Sequence, residues 1–120
     1  MSETFRHKRV AIDFDGTLVE ESNDINEDFE NHTLLKAMDG ARESTRFLKD
    51  QGFEILIFTC RPDYHRKYME KILNCWDISY DYILFYTKPR VDLYIDDKGL
   101  RFTDWNSTQN WIKERLYWTL

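Results

Sequence analysis

Apolar runs of strand length alternate along this chain with stretches of helical period, and polar residues gather where the runs stop. Lys8 to Phe14 reads as a first strand. Phe53 to Thr59 is almost continuously apolar, Glu54 excepted, as in a strand buried on both faces. Tyr80 to Tyr86 and Val91 to Ile95 supply two more strands, and Gly99 to Phe102 a short fifth at an edge. Leu34, Met38, Ala41, Thr45 and Leu48 repeat at helical spacing, with Gly52 placed to end that helix. Pro62 sits where a second helix would begin, and Tyr64, Tyr68, Ile72, Leu73 and Trp76 mark its buried stripe. Trp105 to Trp118 reads as a terminal helix with Trp105, Ile112 and Leu116 inward. Thr17 to His32 holds six carboxylates and no Lys or Arg, and reads as a loop. The alternation implies one domain over residues 1–120, a Rossmann-like three-layer α/β/α sandwich on a mainly parallel sheet.

In such sheets ligands bind beyond the carboxyl ends of the strands, and the chemistry-bearing residues lie there. Asp13 and Asp15 end the first strand, Thr59 the second, and Asp96 and Asp97 the fourth, while Lys88 lies just past the third. Side chains two apart on a strand point the same way, so Asp13 and Asp15 leave the strand side by side. Two carboxylates that close repel unless a cation or a proton separates them. A hard divalent ion such as Mg2+ takes oxygen ligands. Gly16 lets the backbone turn sharply, and Thr17 offers a hydroxyl and an N–H. A calcium loop starting at Asp13 would need Glu at its twelfth position; that position is Asp24, and Leu18 and Val19 also suit such a loop badly.

Asp13-Phe14-Asp15-Gly16-Thr17-Leu18, then Thr59, Lys88 and Asp96-Asp97 in that order, resemble the four motifs of the haloacid dehalogenase-like superfamily of aspartate-dependent phosphatases. The resemblance covers residues 10 to about 98. It implies Asp13 as the nucleophile toward phosphorus and Asp15 as general acid and base. It implies a Mg2+ site with Asp13 and Asp96 as direct ligands, Asp15 through its backbone carbonyl, and Asp97 through water. Gly16, Thr17, Thr59, Cys60 and Lys88 would bind the phosphoryl group, with Lys88 neutralising its charge. Arg61, Arg90 and Lys98 are rivals for that neutralising role. Asp92 reads as a strand-edge polar residue. Many relatives carry a further acid some residues after the fourth-strand aspartate; here the adjacent pair is followed by Lys98-Gly99. Larger relatives also insert a cap domain. The gaps here are too short for one, since a cap needs its own core, so the chain reads as a capless member. The acidic segment Val19 to Asn31 is either a partial cover or a solvated loop, and a second copy of the chain is an alternative lid.

Charge and composition narrow the partners. The net charge is -5, against the basic footprint of nucleic-acid binders, although Arg61, His65, Arg66, Lys67, Lys88 and Arg90 collect near strand ends. A small phosphorylated metabolite, a sugar phosphate or nucleotide, is preferred over a polynucleotide 3′-phosphate end. A phosphate-binding or phosphoacceptor domain without turnover is the non-enzymatic alternative. His7, His32 and His65 show no metal spacing and read as surface residues. No apolar run approaches bilayer length, and Met1 to Arg9 lacks the apolar core of a signal peptide. Two cysteines without CxxC spacing read as reduced thiols, and the expected location is the cytoplasm.

Overall fold

The computed structural model describes residues 8–86, 91–96 and 100–116. Five strands make one parallel sheet: β1 (Arg9–Asp13), β2 (Glu54–Thr59), β3 (Tyr82–Phe85), β4 (Leu93–Asp96) and β5 (Leu100–Arg101), in the order β3-β2-β1-β4-β5. Among the described residues four α-helices accompany it: α1 (Ile25–Glu30), α2 (Ala41–Asp50), α3 (Arg66–Cys75) and α4 (Trp105–Leu116). The arrangement is a Rossmann-like α/β sandwich, as the alternation of runs implies.

Register explains the core. Val10 pairs with Ile55 and Leu93, and Ile12 with Ile57 and Ile95. Partners in register share a face, and all six are buried. Against that face pack Ala41 and Leu48 of α2, Met69, Ile72 and Leu73 of α3, and Trp105 and Ile112 of α4. Each fully buried Ile or Leu contributes about 1.5–3 kcal/mol, so this face carries most of the cohesion. Ala11 and Leu56 are buried on the opposite face, where Phe58 and Tyr94 meet edge to face at 5.9 Å. Residues 87–90, between β3 and β4 in sequence, lie outside the described residues.

Helix ends follow local chemistry, and two differ from expectation. The expected loop after β1 contains α1, capped by Asp24, whose carboxylate accepts from the N–H groups of Asn26 and Glu27. The Asp24-Ile25-Asn26-Glu27 spacing is the signature of such a cap. The second difference is the start of α2, at Ala41 rather than near Leu34. Leu34 is exposed, Ala37 bridges to Val19, and the Met38 N–H donates to the Leu18 carbonyl. This segment therefore runs extended against the turn after β1, and Gly40 (φ +86°) releases the chain into the helix. At the other end Gly52 (φ +89°) stops α2 as expected. Its N–H donates to Lys49 O and that of Phe53 to Leu48 O, the paired closure that a left-handed residue permits. Pro62 precedes a 3-10 turn, Asp63–His65, that leads into α3. No helix among the described residues is long and apolar enough to cross a membrane.

Candidate active site

β1 and β4 are adjacent and parallel, and Ile12 pairs with Ile95. Asp13 and Asp96 follow those partners and so end neighbouring strands at one edge of the sheet. Asp13 is half-buried. Phe14, next along, is fully buried in the core, which anchors the turn between the two aspartates. Past it the chain folds back on itself: the N–H groups of Leu18 and Val19 donate to the Phe14 carbonyl, and that of Gly16 to Val19 O at 2.9 Å. Gly16 takes φ +80°, a conformation that glycine adopts without strain. Thr17 is buried, and its carbonyl accepts from the indole N–H of Trp105 at 3.0 Å. The Gly16 N–H is thus used within the turn.

Asp15 does not stand free beside Asp13. Arg61 grips both of its oxygens, donating from Nε to Oδ2 at 2.8 Å and from Nη2 to Oδ1 at 2.7 Å. The planar guanidinium fork matches a carboxylate in this way. Arg61 is 1 % exposed, sits beneath the Phe14 and Tyr68 rings at 5.5 and 5.6 Å, and has its third face on His65, with Nη1 3.2 Å from Nδ1. The Asp15 side chain remains 24 % exposed, so the pair joins the interior to the sheet edge. Thr59 ends β2 as expected, and its hydroxyl oxygen accepts from the Arg61 N–H at 3.0 Å. Cys60, between them, is exposed and reduced.

His65 corrects the sequence reading. It is fully buried rather than on the surface, stacked on Phe29 of α1 with ring centroids 4.0 Å apart. Burial pushes its pKa below the usual histidine range; Arg61 pushes the same way, and Asp15 opposes both. Tyr64, expected in the buried stripe, is instead 65 % exposed. The rest of the stripe holds, with Tyr68, Ile72 and Leu73 buried as expected, and His65 and Arg61 continue the inner face ahead of it where Tyr64 was expected. Their 3–4 spacing was the signal that could have revealed it. His32 is exposed, as expected.

The acidic segment is anchored at several points. The Glu20 N–H donates to Lys36 O, Ser22 hydrogen-bonds Asp28, and Tyr68 donates to Thr33 O at 2.6 Å. Phe29 brings α1 against His65, so the segment is a partial cover over the Arg61 side of the site. Asp92 is a strand-edge residue, as expected. Its carboxylate accepts from the Arg9 N–H at 2.9 Å, at the opposite end of β1.

Lys88, Arg90, Asp97 and Lys98 lie outside the described residues. Among the described residues no three His, Cys, Asp or Glu side chains converge as a metal shell. The donor chemistry suits a hard cation all the same: the carboxylate residues Asp13 and Asp96 end neighbouring strands, while Arg61 takes both oxygens of Asp15.

No protein-family model matches the chain, and no curated protein matches it. Solved structures do. A conserved protein from Bacteroides thetaiotaomicron is similar at a TM-score of 0.70 and 19% identity, over 89% of this chain and 90% of that one. A structural-genomics target from Vibrio cholerae is similar at 0.57 and 22%, over 91% and 96%. A chain of the Pnkp1/Rnl/Hen1 complex is similar at 0.57 and 22%, over 69% of this chain and 31% of that one. At these identities the likeness is one of fold, and the chain shares with these structures its α/β architecture.

Proposed function

We propose that this chain is a Mg2+-dependent phosphomonoester hydrolase of the haloacid dehalogenase-like type, without a cap domain, acting through an aspartyl-phosphate. One observation carries the reading: Asp13 and Asp96 end adjacent parallel strands at the same sheet edge, beside an Asp15 held by a buried arginine. In the first half-reaction an Asp13 oxygen attacks phosphorus, the bond to the leaving oxygen breaks, and Asp15 gives that oxygen its proton. In the second, Asp15 takes a proton from water, the water oxygen attacks phosphorus, and phosphate leaves as Asp13 is restored. Mg2+, held by Asp13, Asp96 and the Asp15 carbonyl with Asp97 behind, would supply positive charge toward the phosphoryl oxygens. Thr59, Cys60, Gly16, Thr17 and Lys88 remain the assigned phosphoryl contacts. With the Gly16 N–H used in the turn, the hydroxyl of Thr59 and the charge of Lys88 are the stronger members of that set.

The substrate we propose is a small phosphorylated metabolite. Of the six basic residues near the strand ends, Arg61 and His65 face inward, which thins the basic footprint a polynucleotide would need. α1 carries Glu27 and Asp28 in its first turn, and its Phe29 packs on His65. A second copy of the chain as a lid remains part of the proposal. Two exposed thiols, Cys60 and Cys75, suit a reducing compartment such as the cytoplasm.

Turnover of para-nitrophenyl phosphate with Mg2+, its loss with a chelator, and its absence in Asp13→Asn test the activity. No turnover with any divalent metal would favour a phosphate-binding or phosphoacceptor domain instead. Phosphorylated metabolites screened beside 3′- and 5′-phosphorylated oligonucleotides test the substrate class.

A further inference from the structure

We infer that His65 is a positioning residue: its Nδ1 lone pair holds Arg61, and Arg61 in turn holds the Asp15 carboxylate. What Asp15 then does rests on the phosphatase reading; the hold itself rests on geometry. A guanidinium has donors only, so at the 3.2 Å contact with Nη1 the His65 Nδ1 must accept. That fixes the neutral tautomer with its proton on Nε2. Nε2 is buried and has no hydrogen-bond partner among the described residues. An orphaned donor is unfavourable, and an apolar ring would fill the same space without one. What histidine adds over such a ring is the acceptor at Nδ1.

The ring is clamped. Phe29 lies flat on it, 5° from parallel, and Tyr64 and Tyr68 meet it edge-on at 5.0 and 6.2 Å. Arg61, equally enclosed, commits Nε and Nη2 to Asp15 and Nη1 to His65. Without an acceptor there, a buried cation would keep an unmet donor, and the fork that aims Asp15 would lose its anchor on the inner side. The groups facing the ring are Arg61 and Asp15 from the strand ends, Tyr64 and Tyr68 from its own segment and α3, and Phe29 from α1. Protonation of Nδ1 would set a second cation against Arg61, in line with the lowered pKa of His65.

The test uses the full chain. His65→Phe keeps the stack on Phe29 and removes Nδ1; His65→Asn returns an acceptor oxygen near the Nδ1 position. With para-nitrophenyl phosphate and Mg2+, His65→Phe should lower kcat about 10- to 100-fold, the scale of a misaimed catalytic group, with KM unchanged. His65→Asn should recover most of that loss at comparable thermal stability. A folded His65→Phe with wild-type kcat would overturn the inference, and so would equal losses in both variants that track melting temperature. Nitrogen-15 spectra of the wild-type imidazole give a readout independent of turnover. Nδ1 without a proton and Nε2 with one supports the hold, and a protonated Nδ1 overturns it. Should the wild type fail to turn over, the phosphatase reading falls and the tautomer still decides whether His65 holds Arg61.

Discussion

The indole N–H of Trp105 donates to the carbonyl oxygen of Thr17, 88 residues earlier, at 3.0 Å. Trp105 opens α4 and is among the largest fully buried side chains. It braces the turn that carries Asp15 and Gly16 from behind. Trp105→Phe keeps most of the apolar volume and leaves the Thr17 carbonyl without its donor, at a cost of about 1–3 kcal/mol. Urea unfolding should show a lower midpoint with an unchanged slope; a midpoint equal to wild type would remove the brace.

Gly40 sits against the same tryptophan. A Cβ there would lie 3.0 Å from Trp105 Cβ, on a backbone at φ +86°. Gly40→Ala therefore meets both a strained conformation and a close contact, and should destabilise by about 1–3 kcal/mol. Gly16→Ala has only the strain to contend with, since its added Cβ would find nothing nearer than 3.9 Å. Thermal denaturation of the two variants should rank Gly40→Ala below Gly16→Ala; the reverse order would argue against the Trp105 contact.

Substitutions of the two aspartates after β1 should separate by step. Asp13→Asn should abolish hydrolysis while circular dichroism stays native, and retained turnover would remove Asp13 as nucleophile. Asp15→Asn should still form some phosphoenzyme and release it slowly. In rapid-quench experiments, equal loss at both steps would contradict the acid and base role. Asp15→Asn also breaks a part-buried ion pair by leaving Arg61 partly unmatched, so its stability should fall below that of wild type.

His65 makes stability depend on pH in a definite direction. Its folded pKa lies below the ordinary 6.5. As pH falls through that value the unfolded chain binds a proton that the folded chain refuses, and stability drops. Above it neither state is protonated at this site and the contribution is flat. Between pH 7.5 and 5.5 wild type should lose more stability than His65→Phe, measured as the difference in unfolding free energy at each pH. Equal losses would mean that His65 titrates normally.

The sheet was legible in the sequence because each parallel strand is an apolar run that a polar residue stops, and Asp13, Thr59 and Asp96 were those stops. Gly52 was legible because a left-handed helix end leaves few alternatives. The Arg61–Asp15 pair was not, since 46 residues separate its members and arginines near strand ends also read as phosphate ligands. His65 was misread because Tyr64 is the more apolar neighbour and also falls four residues before Tyr68, whereas both lie in a 3-10 turn ahead of α3 that presents His65 inward. The late start of α2 escaped notice because Leu34 continues the 3–4 spacing, whereas backbone bonds to Val19 and Leu18 hold that segment extended.

β1 lies between β2 and β4, and Val10 pairs with both Ile55 and Leu93. The second flank of β1 therefore comes from a strand far along the sequence. Loop-closure entropy makes such distant pairings late events. A product truncated before Asp96 holds Asp13 without its neighbour across the strands, so the competence we propose waits on β4.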